Sequence, residues 1–307
     1  MKFSYHFFLV LFILPLFAMN SDKSAYRVYN AKGKQVEYKD MFRAVQKADI
    51  IFFGELHDNP ICHWLEIELT KDLYSAKGEN LVLGAEFFET DNQLIINEYL
   101  SKMIRKKDFE TEAKLWPNYK NDYAPLLDFA REKGLKFMAT NIPRRYAALV
   151  NLKGFEGLDS INALQRGLIA PLPIKYPDSL ECYASIVKSA GEGAQPHSTA
   201  NLGKAQAIKD ATMAHFLMKN AFGEKTLLHF NGSYHSDNHQ GIIWYANQII
   251  RKTSYEPKIL TISCVEQENI DSLSKEQASL ADFIILIPAS MTKQGNWNIA
   301  TLNFIRK

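Results

Sequence analysis

A chain of 307 residues that is 47% hydrophobic and 23% charged carries enough apolar surface for a full-sized core, which excludes a disordered, collagen-like or coiled-coil protein. With 36 Lys and Arg against 34 Asp and Glu the net charge is only +2, and without a local basic patch no nucleic-acid partner is expected. The 12% aromatic content fits a pocket for a flat apolar ligand and equally a well-filled core.

The chain opens with one early Lys, an apolar stretch from Phe7 to Ala18 broken by Pro15, and then Asn20, Ser21, Asp22 and Lys23. About a dozen apolar residues fall short of the roughly 20 needed to span a bilayer and match the core of a secretory signal peptide. Residues 1–19 are therefore predicted to be removed on export to the periplasm or cell envelope, leaving residues 20–307 as one α/β domain. The first cysteine is Cys62, so no Cys follows the leader and lipoprotein anchoring is not expected. Cys62, Cys182 and Cys264 match no zinc spacing, allow at most one disulfide, and read as core thiols.

Beyond the leader, short apolar β-branched runs alternate with segments of helical period, the pattern of βαβ units. Strands are predicted at 49–54 (DIIFFG), 80–88 (NLVLGAEFF), 135–141 (LKFMATN), 226–232 (TLLHFNG), 257–264 (PKILTISC) and 282–288 (DFIILIP). Their nearly unbroken hydrophobicity implies burial on both faces, hence a mostly parallel sheet with helices on both sides. Helices are predicted at 63–76, 123–134 and 201–222, where apolar residues recur at three and four. Residues 91–125 and 151–203 exceed a minimal βαβ unit and are expected to form helical insertions with surface loops.

Ligands of open parallel sheets sit at the carboxyl ends of the strands. There the sequence places Glu55 and His57, then Glu86, then Asn141 with Arg144 and Arg145, then Tyr234 and His235. The first βα turn lacks a glycine-rich dinucleotide fingerprint, and no P-loop, H-E-x-x-H or G-x-S-x-G motif occurs. Glu55, His57, Glu86 and His235 are the candidate ligands for a divalent metal, or the acid and base of a hydrolase. His63 lies six residues after His57 and is expected either at the same rim or in a solvated first turn, whereas His229 reads as a hydrogen-bonded core histidine. His239, four after His235, reads as a helix cap or cover.

The paired Gly-x-x-His motifs Gly54 to His57 and Gly232 to His235 stand with Glu86 and with Asn141, Pro143 and Arg144. Together with Asp58, Asn59, His63, the Tyr123-Ala-Pro-Leu stretch, Gln206 and Asp210, they resemble the ChaN-like haem-binding uptake proteins of the Tiki superfamily, over roughly residues 50–243. That superfamily also includes erythromycin-esterase-like and Tiki-type metalloprotease members. The resemblance implies an exported haem-binding protein of iron uptake, more a binding protein than an enzyme, with haem at a homodimer contact and an outer-membrane haem receptor as a further partner. It implies a tyrosine on the iron, for which Tyr123, Tyr146 and Tyr234 are the candidates, and a histidine at the propionates. His57, His63, Glu86, Arg144 and His235 complete the expected haem-binding set, with Trp116, Leu126 and Phe129 offered to the porphyrin face. The alternative reading is a metal-dependent hydrolase that uses Glu55, His57, Glu86 and His235.

Overall fold

The computed structural model describes residues 23–191, 201–221 and 223–293. The leader at 1–19 lies outside the described residues, as does the 192–200 part of the second insertion.

The chain begins with an antiparallel hairpin, β1 (Arg27–Asn30) and β2 (Gln35–Val36), followed by α1 (Tyr38–Val45). Then come β3 (Ile50–Glu55), α2 (Pro60–Lys77), β4 (Leu81–Glu89), α3 (Gln93–Leu100), α4 (Lys106–Glu112), α5 (Tyr119–Asp122), α6 (Ala124–Lys133) and β5 (Lys136–Asn141). The middle of the chain supplies α7 (Arg144–Lys153), α8 (Ala163–Arg166), α9 (Glu181–Gly191) and α10 (Leu202–Met218). It closes with β6 (Thr226–Gly232), α11 (Ile242–Ile250), β7 (Ile259–Gln267), α12 (Lys275–Ala278) and β8 (Phe283–Pro288). The eight-stranded sheet has the order β2-β1-β8-β7-β3-β6-β4-β5. Strands β3 to β8 all run parallel, and the hairpin joins antiparallel at β8.

The six predicted strands are all present. The β1–β2 hairpin went unpredicted because RVYN and QV are too short and too mixed in polarity to show strand periodicity. Alternation explains the two-sided core: Ile51 and Phe53 of β3 face the cluster built by Leu65, Leu69 and Leu73 of α2. Ile50 and Phe52 face the opposite cluster, with Ala207, Ala211 and Ala214 of α10 and Ile242 and Ile243 of α11. Helix α10 is buried nearly all round, because α7, α9 and α11 pack on it in addition to the sheet. Its small residues Ala205, Ala207, Ala211 and Ala214 suit that crowding.

Of the insertions, residues 91–125 contain α3 to α5, and the described part of 151–203 contains the end of α7 with α8 and α9. Among the described residues no helix is long and apolar enough to cross a membrane.

Candidate functional site

Strand β3 sits at the middle of the parallel sheet with β6 and β7 on either side, and β4 lies beyond β6. The chain leaves β3 toward β4 and returns to β6 from β5, so the carboxyl ends of β3, β6 and β4 form the edge at which the strand order reverses. Both Gly-x-x-His motifs leave the sheet there, side by side, since Glu55 is in register with Gly232.

The two glycines are fixed by close approach. A Cβ on Gly54 would stand 2.9 Å from the Ser233 Cα and 3.0 Å from the Ile262 carbonyl oxygen. A Cβ on Gly232 would stand 2.9 Å from both Cε1 and Nε2 of His57. Each motif's glycine is therefore the seat of a residue in or beside the other motif, and any side chain there would push the two apart.

His57 is held by Glu55, whose Oε1 lies 2.6 Å from His57 Nδ1. The same oxygen accepts a hydrogen bond of 2.7 Å from the Tyr123 hydroxyl. Trp116 stands edge-on to the imidazole, with ring centroids 4.9 Å apart. Burial by itself would raise the Glu55 pKa, but the His63 and His57 charges outweigh it and hold the carboxyl at about 2. Burial opposes the charged imidazole of His57, yet Glu55 outweighs it and raises the His57 pKa.

Glu86 reaches the edge through an irregularity in β4. Register with β5 shifts between Ala85 and Glu89, and pairing with β6 stops at Ala85 opposite Phe230. Beyond that point the Glu86 side chain takes over the ladder, and its Oε2 accepts the Gly232 amide at 2.8 Å. Its other oxygen lies 3.2 Å from His235 Nε2. Asp210 bonds His235 Nδ1 from the opposite side and accepts the Tyr183 hydroxyl at 2.7 Å. Burial disfavours the His235 cation, but Glu86 and Asp210 together override it and push the pKa up to about 10. Glu86 moves the other way: against burial, His235 and His57, with Lys209 adding, hold its carboxyl far below the ordinary range.

The structure thus brings Glu55, His57, Glu86 and His235 to one edge as two adjoining carboxylate–imidazole groups. His57 is 19% exposed and His235 only 6%. Of the other predicted residues, His63 is buried behind His57, with Nε2 3.2 Å from the His57 carbonyl oxygen. Tyr123 is fully buried, stacked on Phe87 at 4.1 Å, and burial, with the Glu55 charge adding, raises its pKa well above that of a free phenol. Tyr146 is buried in a cluster with Ile142 and Val150, whereas Tyr234 is 38% exposed and adjoins Ser185 Oγ at 2.7 Å. Arg144 is exposed at the start of α7, and Arg145 pairs with Asp91 at 2.6 Å and covers the Tyr146 ring. Leu126 and Phe129 pack against α2 in the core, so only Trp116 of the three expected porphyrin-facing residues adjoins the cluster. His229 is a core histidine between Thr140 and Asn231. His239 lies in a short turn at φ +56° beside Asp282 and caps no helix.

Sequence reasoning did not give Asp210, Gln206 or Tyr183 a place in the site. The signal was the spacing of Gln206 and Asp210, one turn apart on α10 and so on one helical face. Both meet His235, Gln206 through its amide at 3.0 Å from Nε2.

A parallel α/β sheet whose switch-point edge carries two carboxylate-bound histidines defines a ligand-binding or catalytic class of protein. Residues 41–246 match the family model described as haem-binding uptake, Tiki superfamily, ChaN. The chain belongs to this ChaN family. In fold it is similar to ChaN of Campylobacter jejuni, solved with cofacial haem, at a TM-score of 0.63 and 18% identity over 88% of this chain and 97% of that one. It is also similar to a mutant of the erythromycin esterase EreC in its open conformation, at a TM-score of 0.50 and 10% identity over 89% and 99%. A 126-residue stretch is 28% identical to the protein RETICULATA-RELATED 5, chloroplastic, of Arabidopsis thaliana, covering 39% of this chain and 17% of that protein. The chain thus spans about a sixth of the length of that curated relative.

Proposed function

We propose that this protein binds haem at the carboxyl edge of the sheet and serves haem or iron uptake as an exported protein of the periplasm or cell envelope. The observation that carries the reading is the exposed end of the cluster. His57 is held by Glu55 beside Trp116, and Glu55 raises its pKa against burial, so a proton donor and an aromatic ring stand at one place. A haem propionate is an anion to which the protonated imidazole donates a charge-assisted hydrogen bond. His235 sits behind it between Glu86 and Asp210, His63 backs His57 from within, and Arg144 is exposed just past the carboxyl end of β5. Among the three candidate tyrosines Tyr234 alone presents an exposed ring, so we assign it the iron-ligand role. Ferric iron takes a phenolate, which here replaces the Tyr234 contacts to Ser185 and the Cys182 carbonyl. Haem at a homodimer contact, delivered by an outer-membrane haem receptor, completes the reading.

The experiment is a hemin titration of the purified mature chain followed by its Soret band. Tyr234→Phe abolishes the tyrosinate-type spectrum, whereas Tyr146→Phe leaves it intact. A wild-type chain that develops no saturable Soret change overturns the proposal.

A second reading, metal-dependent hydrolysis through Glu55, His57, Glu86 and His235, is favoured by one feature. Glu55 fixes His57 through Nδ1, as an orienting carboxylate does for a general acid or base, and Nε2 lies beside Gly232 at the end of β6. Metal-dependent ester or peptide cleavage by haem-free protein, lost in His57→Ala, selects it.

A further inference from the structure

Behind His57 lies a second group of side chains, one of which, Glu66, enters neither reading. His63 and Glu66 are one turn apart on the same face of α2, and both point at Glu55 from the side opposite His57. His63 Nδ1 is 3.1 Å from Glu66 Oε2 and 3.5 Å from Glu55 Oε2, and one donor atom from each of the three residues lies within 4.8 Å of the others. All three are buried.

The hydrogen bonds leave this group with more acceptors than donors. The neighbours of His63 Nε2 are the His57 carbonyl oxygen at 3.2 Å and Asp122 Oδ2 at 3.7 Å, both acceptors, so Nε2 carries the ring proton. Nδ1 is thereby turned toward both carboxylates: in the imidazolium it gives them one proton, at 3.1 Å from Glu66 Oε2, and without that proton it offers them only a lone pair. The hydrogen bonds to Glu55 from His57 and Tyr123 both fall on Oε1, so Glu55 Oε2 is buried without a partner. Glu66 Oε1 is likewise buried without one. Among the described residues, the ion pairs of Glu55, Glu66 and Asp122 run only to histidines. Three electron-pair donors converging in a dry site are costly unless something positive stands between them.

We propose that Glu55, His63 and Glu66 hold a buried divalent transition-metal ion directly beneath His57. Bonds of about 2.1 Å from one ion to imidazole nitrogen and carboxylate oxygen put neighbouring donors roughly 3.0 to 3.5 Å apart, the spacing of His63 Nδ1 from Glu66 Oε2 and from Glu55 Oε2, with the two carboxylates within 4.8 Å of each other. The second layer is also in place: a ligating histidine ordinarily gives its other N–H to a backbone carbonyl or carboxylate, as Nε2 does. Tyr123 and His57 hold the far oxygen of Glu55 and so turn Oε2 inward. One imidazole with two carboxylates suits zinc or manganese and is too small and too nitrogen-rich for calcium. The ion would link the buried core to the exposed imidazole through the shared Glu55, whether the edge binds haem or cleaves a substrate.

The test uses the full mature chain, freed of haem and stripped with chelator, then titrated with Zn2+ alone and assayed for bound metal after gel filtration. About one Zn2+ is retained per chain, and the thermal midpoint rises with its binding. Glu66→Gln, which keeps the side-chain volume, and His63→Gln abolish stoichiometric retention. Tyr123→Phe weakens it about tenfold by releasing Glu55, while His235→Gln retains it. A soluble, folded wild-type chain that retains no zinc, with a protonated Glu66 carboxyl band in its infrared spectrum that Glu66→Gln removes, overturns the site in favour of a shared proton. Zinc that is lost in His235→Gln but kept in Glu66→Gln also overturns it.

Discussion

The two Gly-x-x-His ends are alike in sequence and differ in what surrounds them. At the β6 end His235 lies between Glu86 and Asp210 with the Gln206 amide beside it, and almost nothing reaches solvent. At the β3 end His57 has Glu55 as its one direct carboxylate and keeps a fifth of its side chain exposed. A histidine enclosed by two carboxylates is a fixed cation that holds three elements together, β4, α10 and the β6 turn. A histidine with one carboxylate and an open side can exchange its partner for a ligand. The pair teaches that one motif can supply the anchor and the other the reactive face.

The sharpest way to break this contrast is Asp210→Ala. It leaves Glu86 as the one carboxylate on His235 and takes the acceptor from the Tyr183 hydroxyl, and the chain should lose about 1.5–3 kcal/mol in denaturant unfolding. A loss below about 1 kcal/mol would mean that the β6 end is no anchor. Gly232→Ala comes next. Its Cβ meets the His57 ring, so about 1–3 kcal/mol is expected from overpacking, together with displacement of His57 and loss of hemin or substrate binding.

The pH dependence of stability is gentler and isolates the anchor. His235 has its folded pKa raised to about 10, so its contribution is complete below the ordinary imidazole range and is lost as pH rises through about 10. Glu86 has its pKa lowered, so its contribution is present above the ordinary carboxylate range and is lost as pH falls below it. The thermal midpoint should form a plateau between those limits, and in His235→Gln the alkaline fall should flatten. His57→Ala has the smallest effect on folding, under about 1 kcal/mol at a partly exposed position. It should nevertheless cost at least tenfold in hemin affinity or turnover. A stability loss as large as that of Asp210→Ala would erase the distinction between the two ends.

Much of the edge was legible in the sequence because strands buried on both faces announce themselves as continuous apolar runs, and their carboxyl ends follow at once. Glu55, His57 and His235 could be read that way. Glu86 was legible as a polar residue in such a run, but the irregularity after Ala85 that turns it onto Gly232 was not. Asp210 and Gln206 lie on a helix whose buried positions run almost all round, so their one-turn spacing was the one local mark they carried and assigned them no partner. Glu66 read as one more charged position on α2, and only the packing of that helix against β3 sets it beside Glu55 and His63.

By itself the sequence determined the alternation of strand and helix, the two-sided burial of the sheet and the identity of the groups at its edge, because periodicity and hydrophobicity are local properties. The tertiary structure decided which histidine is enclosed and which is open, and which carboxylates face each other. Those depend on strand order and helix packing, which bring the two motifs together across about 180 positions, and on the burial that then fixes where each proton and charge resides.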